Sequence, residues 1–368
     1  MELDLIARER LRRLRCWGQG TPMAPIRLEL EPTDRCNLSC RFCWRQDPVR
    51  IENSVKTEAE EIPDERLMRL VDEACDMGIM EWRIGGGGEP MLKRRVLVPM
   101  MKQLKERGVT GLLTTNGTVF EEQDIRDLVA REWDLIEFSI DGPDASVHDP
   151  LRGRKGSFER SVAALRLFHD EKKRQGKRLP RLAINTVLVN DNFRLIPAMI
   201  EMCREYGVEV FSLNPITIFA PDGERLKLND AERREFQPLL IAAMENAGEY
   251  GIANSLVDLA DMELVAKTGE MTEVLLSDSR RTCSESGQGD DRALRDRDGS
   301  PAAAGGGKSG SAASVIGVDG CIVGSDGMGV EAAAGGLPPF FAAPCFMPWY
   351  IMVIRGGMIG PCSGFEGS

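Results

Sequence analysis

Between residues 24 and 228 the chain alternates short apolar runs with stretches whose apolar residues recur at three and four, and this alternation constrains the fold more than any other feature. Ile26 to Glu31 reads as a strand. Pro63 and Asp64 then open a helix whose stripe is Leu67, Leu70, Val71 and Ala74, and Gly78 closes it. Met80, Trp82 and Ile84 alternate with Glu81 and Arg83, the period of a second strand. A helix near Val96 to Arg107, a strand Val109 to Thr114, a helix Glu121 to Glu132 and a strand Leu135 to Ile140 follow. The run DGPDASVHDPLRGRKG is read as a loop, after which Ser157 caps a helix carrying Phe158, Val162, Leu165 and Phe168. Strand Leu182 to Val189, helix Leu195 to Tyr206 ended by Gly207, and strand Val208 to Leu213 complete six β/α units. Such repetition predicts an α/β fold, with a parallel sheet and helices packed outside it.

In barrels built from such units, chemistry gathers where strands end at their C-termini. Residues with chemistry to offer fall there. Strand one leads into TDRCNLSCRFCW, with Cys36, Cys40 and Cys43; strand two runs into RIGGGGEPM, with Gly87, Gly88, Glu89 and Pro90. Strand three ends at Thr115 and Asn116, strand four at Ser139 and Asp141, while strand five carries Asn185 and strand six Asn214. Three thiolates from one tight loop can hold three irons of a cubane cluster and leave the fourth open to a small molecule. The alternative is a structural zinc knuckle, whose fourth donor would have to be a distant cysteine, since His148 and His169 are the chain's two histidines. Glycines at 87 and 88 let backbone approach a ligand closely. No Lys-Ser or Lys-Thr follows, so this is not a phosphate-cradling loop.

The cysteine spacing, with Phe42 as the aromatic before the last thiol, resembles the signature of the radical S-adenosylmethionine (SAM) superfamily. The resemblance implies a partial (β/α)6 TIM-like barrel and a 4Fe–4S cluster on Cys36, Cys40 and Cys43. SAM would chelate the open iron, and one electron would cleave it to methionine and a 5'-deoxyadenosyl radical that abstracts hydrogen from substrate. Gly87, Gly88 and Glu89 look like the family's Gly-Gly-Glu segment, whose backbone binds the SAM amino group. Phe42, Thr115 and Asn116 join them as implied cofactor contacts. Ser139 and Asp141 in SIDG would touch the ribose or methionyl group, Arg152 in PLRG the carboxylate, and Asn185 and Asn214 would add polar contacts. Implied partners are a low-potential electron donor of the flavodoxin or ferredoxin type and a peptide, protein side chain or small carbohydrate as substrate. A catalytically inactive iron–sulfur or zinc protein is the other reading.

The remaining sequence divides around this core. Residues 1–23 form an arginine-rich amphipathic helix, apolar at Leu3, Ile6, Leu11 and Leu14, expected to cap one end of the barrel of residues 24–228. Residues 229–276 read as a helical extension, with helices at Asp230 to Tyr250 and Val257 to Leu276. Residues 277–343 form a Gly, Ala, Ser and Asp-rich linker that cannot offset its ordering entropy. In residues 344–368, Tyr350 to Ile354 turns through Arg355-Gly356-Gly357 into Met358 and Ile359, a hairpin. Cys345, Gly357 and Cys362, with gaps of eleven and four, resemble the start of a SPASM or twitch module. That implies an auxiliary 4Fe–4S cluster, completed either by sequence beyond Ser368 or by Cys283 and Cys321. No peptide-leader recognition segment is read before Cys36.

A net charge of −11 argues against a nucleic-acid partner, and no apolar run approaches the roughly 20 residues that span a bilayer. Ten unevenly spread cysteines are read as reduced thiols and ligands in a cytoplasmic enzyme, with Cys75 and Cys203 in the core and His148 and His169 on the surface.

Overall fold

The computed structural model describes residues 2–52, 54, 57–219, 221–256, 351–355 and 358–360. Helix α1 (Glu2–Gly18) precedes β1 (Arg27–Glu31), the cysteine loop, α2 (Pro48–Glu52), α3 (Asp64–Met77) and β2 (Glu81–Ile84). Next come α4 (Arg94–Glu106), β3 (Thr110–Thr115), α5 (Glu122–Ala130), β4 (Leu135–Ser139), α6 (Ala145–Arg152), α7 (Ser157–Gln175) and β5 (Arg181–Leu188). Helix α8 (Ile196–Glu205), β6 (Val210–Pro215), α9 (Asp230–Glu249) and β7 (Ala253–Asn254) follow, then β8 (Ile351–Arg355) and β9 (Met358–Gly360).

Strands β1 to β7 lie side by side in chain order, all parallel, as six strands alternating with helices require and one more adds. The period of two divides each strand. Leu28, Leu30, Trp82, Ile84, Leu113, Ile136, Phe138, Ile184 and Phe211 are essentially buried and form the core with the helical stripes. The opposite face carries Glu29, Arg83, Thr114, Glu137, Ser139, Asn185 and Ser212, and there the Thr114 hydroxyl donates to Glu137 at 2.8 Å.

Helix α1 closes the end where β1 and β2 begin. The buried Arg13 guanidinium donates to the carbonyls of Ala24 at 3.0 Å, Pro25 at 2.8 Å and Gly78 at 2.8 Å, and Arg10 pairs with Glu81. Among the described residues no helix is long and apolar enough to cross a membrane.

Four features depart from the sequence reading. The segment read as a loop after β4 contains α6, because the Asp144 side chain caps the Ser146 N–H at 2.8 Å and Leu151 and His148 bury one face. His148 is therefore fully buried, and His169 is half-buried, packed beneath Gly207. Strand β7 extends the sheet beyond β6. The hairpin at the end of the chain is present, with Ile354 opposite Ile359, but β8 also pairs in parallel with β1 along its whole length. Cys203 is buried as expected and Cys75 is half-buried. The helix read at Val257 to Leu276, the linker, Cys283, Cys321, Cys345 and Cys362 lie outside the described residues.

Replacing Arg13 by Met keeps the stem but removes the donor shared by three carbonyls. Urea unfolding should show a loss of about 2–4 kcal/mol. An unchanged midpoint would mean that α1 is held by apolar contact alone.

Candidate active site

The cysteine loop is gripped on two sides. On one, the Gly88 N–H donates to the Thr33 carbonyl at 2.7 Å and the Glu89 N–H to that of Arg35 at 2.9 Å, while Trp44 Nε1 reaches the Gly87 carbonyl at 2.9 Å. On the other, the Ser39 and Arg41 N–H groups cap the Arg152 and Leu151 carbonyls at 3.1 and 2.9 Å, taking acceptors that the end of α6 leaves open. Both grips need glycine. A Cβ on Gly88 would lie 1.9 Å from the Arg35 carbonyl oxygen, and one on Gly153, whose φ is +67°, would lie 2.3 Å from that of Ser39. The glycine at 88 thus admits the approach of the cysteine loop itself, a reason the sequence reading assigned to a ligand.

Behind the loop, buried Glu61 accepts from Arg35 Nε at 2.7 Å, from Lys93 at 3.3 Å and from the Thr33 hydroxyl. Burial raises its pKa, but the Arg35 and Thr33 hydrogen bonds outweigh that and hold it low.

Glu89 joins the turn after β2 to the turn after β3. Its Oε1 accepts from the Thr115 hydroxyl at 2.6 Å and the Met91 N–H at 3.0 Å, and its Oε2 from the Asn116 N–H at 2.7 Å. Burial pushes its pKa up, with these three donors opposing. Asn116 in turn donates to Asn37 Oδ1 at 2.9 Å, which fixes the cysteine loop from a third direction. The side chains of Glu89, Thr115 and Asn116 are thus engaged with one another and with the loop.

Asp141 has no exposure and is fully engaged. Its Oδ1 accepts the Val187 N–H at 3.0 Å, its Oδ2 lies 2.6 Å from Arg152 Nε, its N–H donates to His148 Nδ1 at 3.2 Å and its carbonyl accepts from Asn192 at 3.0 Å. Burial and then the charge of Arg152 push the His148 pKa down to about 3, so the imidazole stays neutral and serves as an acceptor. Desolvation disfavours the Arg152 cation, but Asp141 and Cys40 more than restore it. Its Nη1 reaches Cys40 Sγ at 3.7 Å and its guanidinium lies 5.4 Å from the centre of the Phe42 ring.

Cys36, Cys40 and Cys43 border one cavity of about 360 Å³, together with Gly87, Gly88, Glu89, Thr115, Asn116, Ser139 and Arg152. Among the described residues the Ser139 hydroxyl has no protein partner. A second cavity of about 400 Å³, also bordered by Cys43, is lined by Phe42, Thr217, Phe219 and Leu226. Asn185 and Asn214 bond to each other at 2.9 Å and border neither cavity.

No three His, Cys, Asp or Glu among the described residues are grouped to hold one metal ion. A cubane does not need that convergence, because each thiolate takes its own iron. The donor set fits it. Three thiols of one loop line the cavity, no fourth thiol or imidazole among the described residues borders it, and two of the sulfurs accept an N–H: Cys36 from Leu38 at 3.4 Å and Cys40 from Arg152 at 3.7 Å. Burial pushes the Cys36 pKa up to about 11 and raises that of Cys43, so without a metal these two thiols are neutral near pH 7.

Asn37, Glu61, His148 and Asn192 were not read from the sequence as parts of the site. The signals were weak: a Glu-Ile-Pro before α3, an Asn inside the cysteine run, and a histidine on a stripe visible only once α6 is recognised as a helix.

Residues 30–192 match the model of the Radical SAM superfamily. The AdoMet-dependent heme synthase of Nitratidesulfovibrio vulgaris is 26% identical over 211 residues, 57% of this chain and 52% of that protein. The PqqA peptide cyclase of Granulibacter bethesdensis is 28% identical over 245 residues, 66% of this chain and 61% of that protein. The structure of native anSMEcpe with bound AdoMet aligns over 64% of this chain and 65% of its own at 19% identity and a TM-score of 0.52, a likeness of fold. The chain spans about half to three fifths of the length of the curated relatives it matches.

Two outcomes follow from the geometry. Gly88→Ala should lower the iron bound per chain after anaerobic reconstitution, because its Cβ displaces the residue before Cys36; full iron content with weaker SAM binding would return the glycine to a ligand role. In the metal-free protein, alkylation of Cys36 should rise about tenfold per pH unit from pH 7 toward pH 10, since only the thiolate reacts and the pKa lies above that range. A plateau near pH 8 in mass-spectrometric rates would contradict the burial argument.

Proposed function

We propose that this chain, whose residues 30–192 match the model of the Radical SAM superfamily, is a member of it that binds a 4Fe–4S cluster at Cys36, Cys40 and Cys43 and cleaves SAM reductively. The observation that carries this is the cysteine loop: three thiols bordering one cavity, two of them with an N–H donor, and no fourth thiol or imidazole among the described residues beside them. When bound, the cluster and SAM supply a one-electron cleavage whose carbon radical takes hydrogen from a substrate.

The chain's own residues do the holding. The grips from Gly88, Glu89 and α6 fix the loop, and the Glu89 bonds to Thr115 and Asn116 fix the turns around it. Ser139, whose hydroxyl has no partner among the described residues, borders the cavity and would contact SAM there. Arg152, with Nε on Asp141 and Nη1 on Cys40, leaves Nη2 for a carboxylate such as that of SAM. Asp141 acts through Arg152, and Phe42, flanking the second cavity, presents a flat apolar face to an aromatic base. Asn185 and Asn214, set apart from both cavities, are assigned to the substrate side of the polar sheet face.

The substrate reading follows the relatives. Proteins named as a heme synthase and a peptide cyclase align with this chain at 26% and 28% identity, which supports oxidative modification of a peptide or a cofactor precursor. The hairpin β8–β9 supports a SPASM or twitch module, with Cys345 and Cys362 as auxiliary ligands. An electron donor of flavodoxin or ferredoxin type and a reducing, cytoplasmic compartment complete the proposal.

Reconstituted without oxygen, the protein should carry at least about four irons and four sulfides and form 5'-deoxyadenosine from SAM and dithionite. Replacing Cys36, Cys40 and Cys43 together by alanine should reduce that product to background, as read by chromatography. Tightly bound zinc without sulfide in protein isolated under argon would refute the assignment.

A further inference from the structure

We propose that Arg152 is a potential-setting hydrogen-bond donor to Cys40, held in place by Asp141, so that α6 tunes how readily the cluster on the cysteine loop accepts its electron. This rests on the cluster assignment above.

Cys36 and Cys40 take their N–H donors from different parts of the chain. Leu38 serves Cys36 through its peptide N–H, two residues past that cysteine, so the loop's own turn supplies it. Cys40 is different. Its donor is a guanidinium 112 residues away, at 3.7 Å, and it carries a positive charge. Reduction adds negative charge to a cluster, so a fixed cation and an N–H aimed at a ligand sulfur stabilise the reduced state and raise the potential. Arginine keeps its proton at any working pH, which makes the effect permanent.

The geometry makes this contact hard to lose. Arg152 is the last residue of α6; its carbonyl accepts the Ser39 N–H at 3.1 Å while its side chain reaches Cys40, so backbone and side chain of one residue grip adjacent positions of the loop. Asp141, with no exposure, pairs with Nε at 2.6 Å and is itself fixed by Val187, His148 and Asn192. A carboxylate so placed orients the guanidinium and also subtracts from the positive field that the cluster feels. Arg152 and Asp141 therefore act in opposite senses on the potential. A role confined to SAM carboxylate binding would leave the SAM-free potential unmoved.

The test is a redox titration of the reconstituted protein in the absence of SAM, followed by electron paramagnetic resonance, with iron and sulfide counted in each sample. Arg152→Met should lower the ratio of reduced to oxidised cluster at a fixed applied potential by at least tenfold, about 59 mV for a one-electron couple. Arg152→Lys, which keeps the charge but not the fork, should fall between Met and wild type. Asp141→Asn, which retains an acceptor for Val187, should shift the ratio the other way. Equal SAM-free potentials in wild type and loaded Arg152→Met would overturn the proposal, as would a shift of Asp141→Asn in the same direction as Arg152→Met. Should Arg152→Met fail to load, the Lys and Asn variants decide by the signs of their shifts. Failure of the wild type itself to load a cluster would instead refute the assignment on which the inference rests.

Discussion

Main-chain hydrogen bonds on both flanks of the cysteine loop are the contacts on which the rest of the site depends. A loop carrying three thiols has no reason of its own to hold them toward one cavity. Here Thr33 and Arg35 are bound by the turn after β2, and Ser39 and Arg41 by the end of α6, so the stretch bearing the first two cysteines is fixed before any metal arrives. These are backbone bonds, indifferent to most side-chain changes, and they are short because two glycines allow the chains to touch. A preformed site of this kind lowers the ordering cost that a ligand would otherwise have to meet on binding.

The charged groups cluster around that loop and not in the core between sheet and helices. Glu61, Glu89, Asp141 and Arg152 are each at most 7% exposed, yet each has several polar partners. Buried ion pairs of this sort contribute little net stability compared with an apolar core of the same volume. Their value is in orientation: Glu89 fixes the relation of two turns, and Asp141 that of β4, β5 and α6. Where a protein departs from simple burial rules, the departure tends to mark its site.

The six β/α units were legible because long periodic stretches carry the strongest sequence signal, and the cysteines, the glycine turn and Ser139 were legible by position at strand ends. Helix α6 was not, since its eight residues include Pro150 and follow Asp-Gly-Pro, all of which read as turn. Losing that helix also hid the burial of His148 and the setting of Arg152. The support from Glu61 and Asn192 was hidden for another reason: it depends on contacts between segments tens of residues apart, which no local period encodes. Asn185 and Asn214 show that a strand-end position says nothing of distance along the face: they bond to each other at 2.9 Å and border neither cavity.

Strand β8 has a consequence for how the molecule is made. It covers the free edge of β1, from Arg27 against Ile351 to Glu31 against Arg355, with over 300 residues of chain between the partners. On the ribosome, β1 and the cysteine loop would emerge and pair with β2 long before β8 exists. Until β8 docks, the β1 edge offers unpaired N–H and C=O groups close in sequence to the three cysteines. Closure over so long a loop is slow relative to local pairing, so the nascent chain passes through a stage with an adhesive edge and accessible sulfur side by side. Assembly of the metal site and completion of the sheet are thereby placed in competition with aggregation and thiol oxidation, a hazard written into the strand order itself.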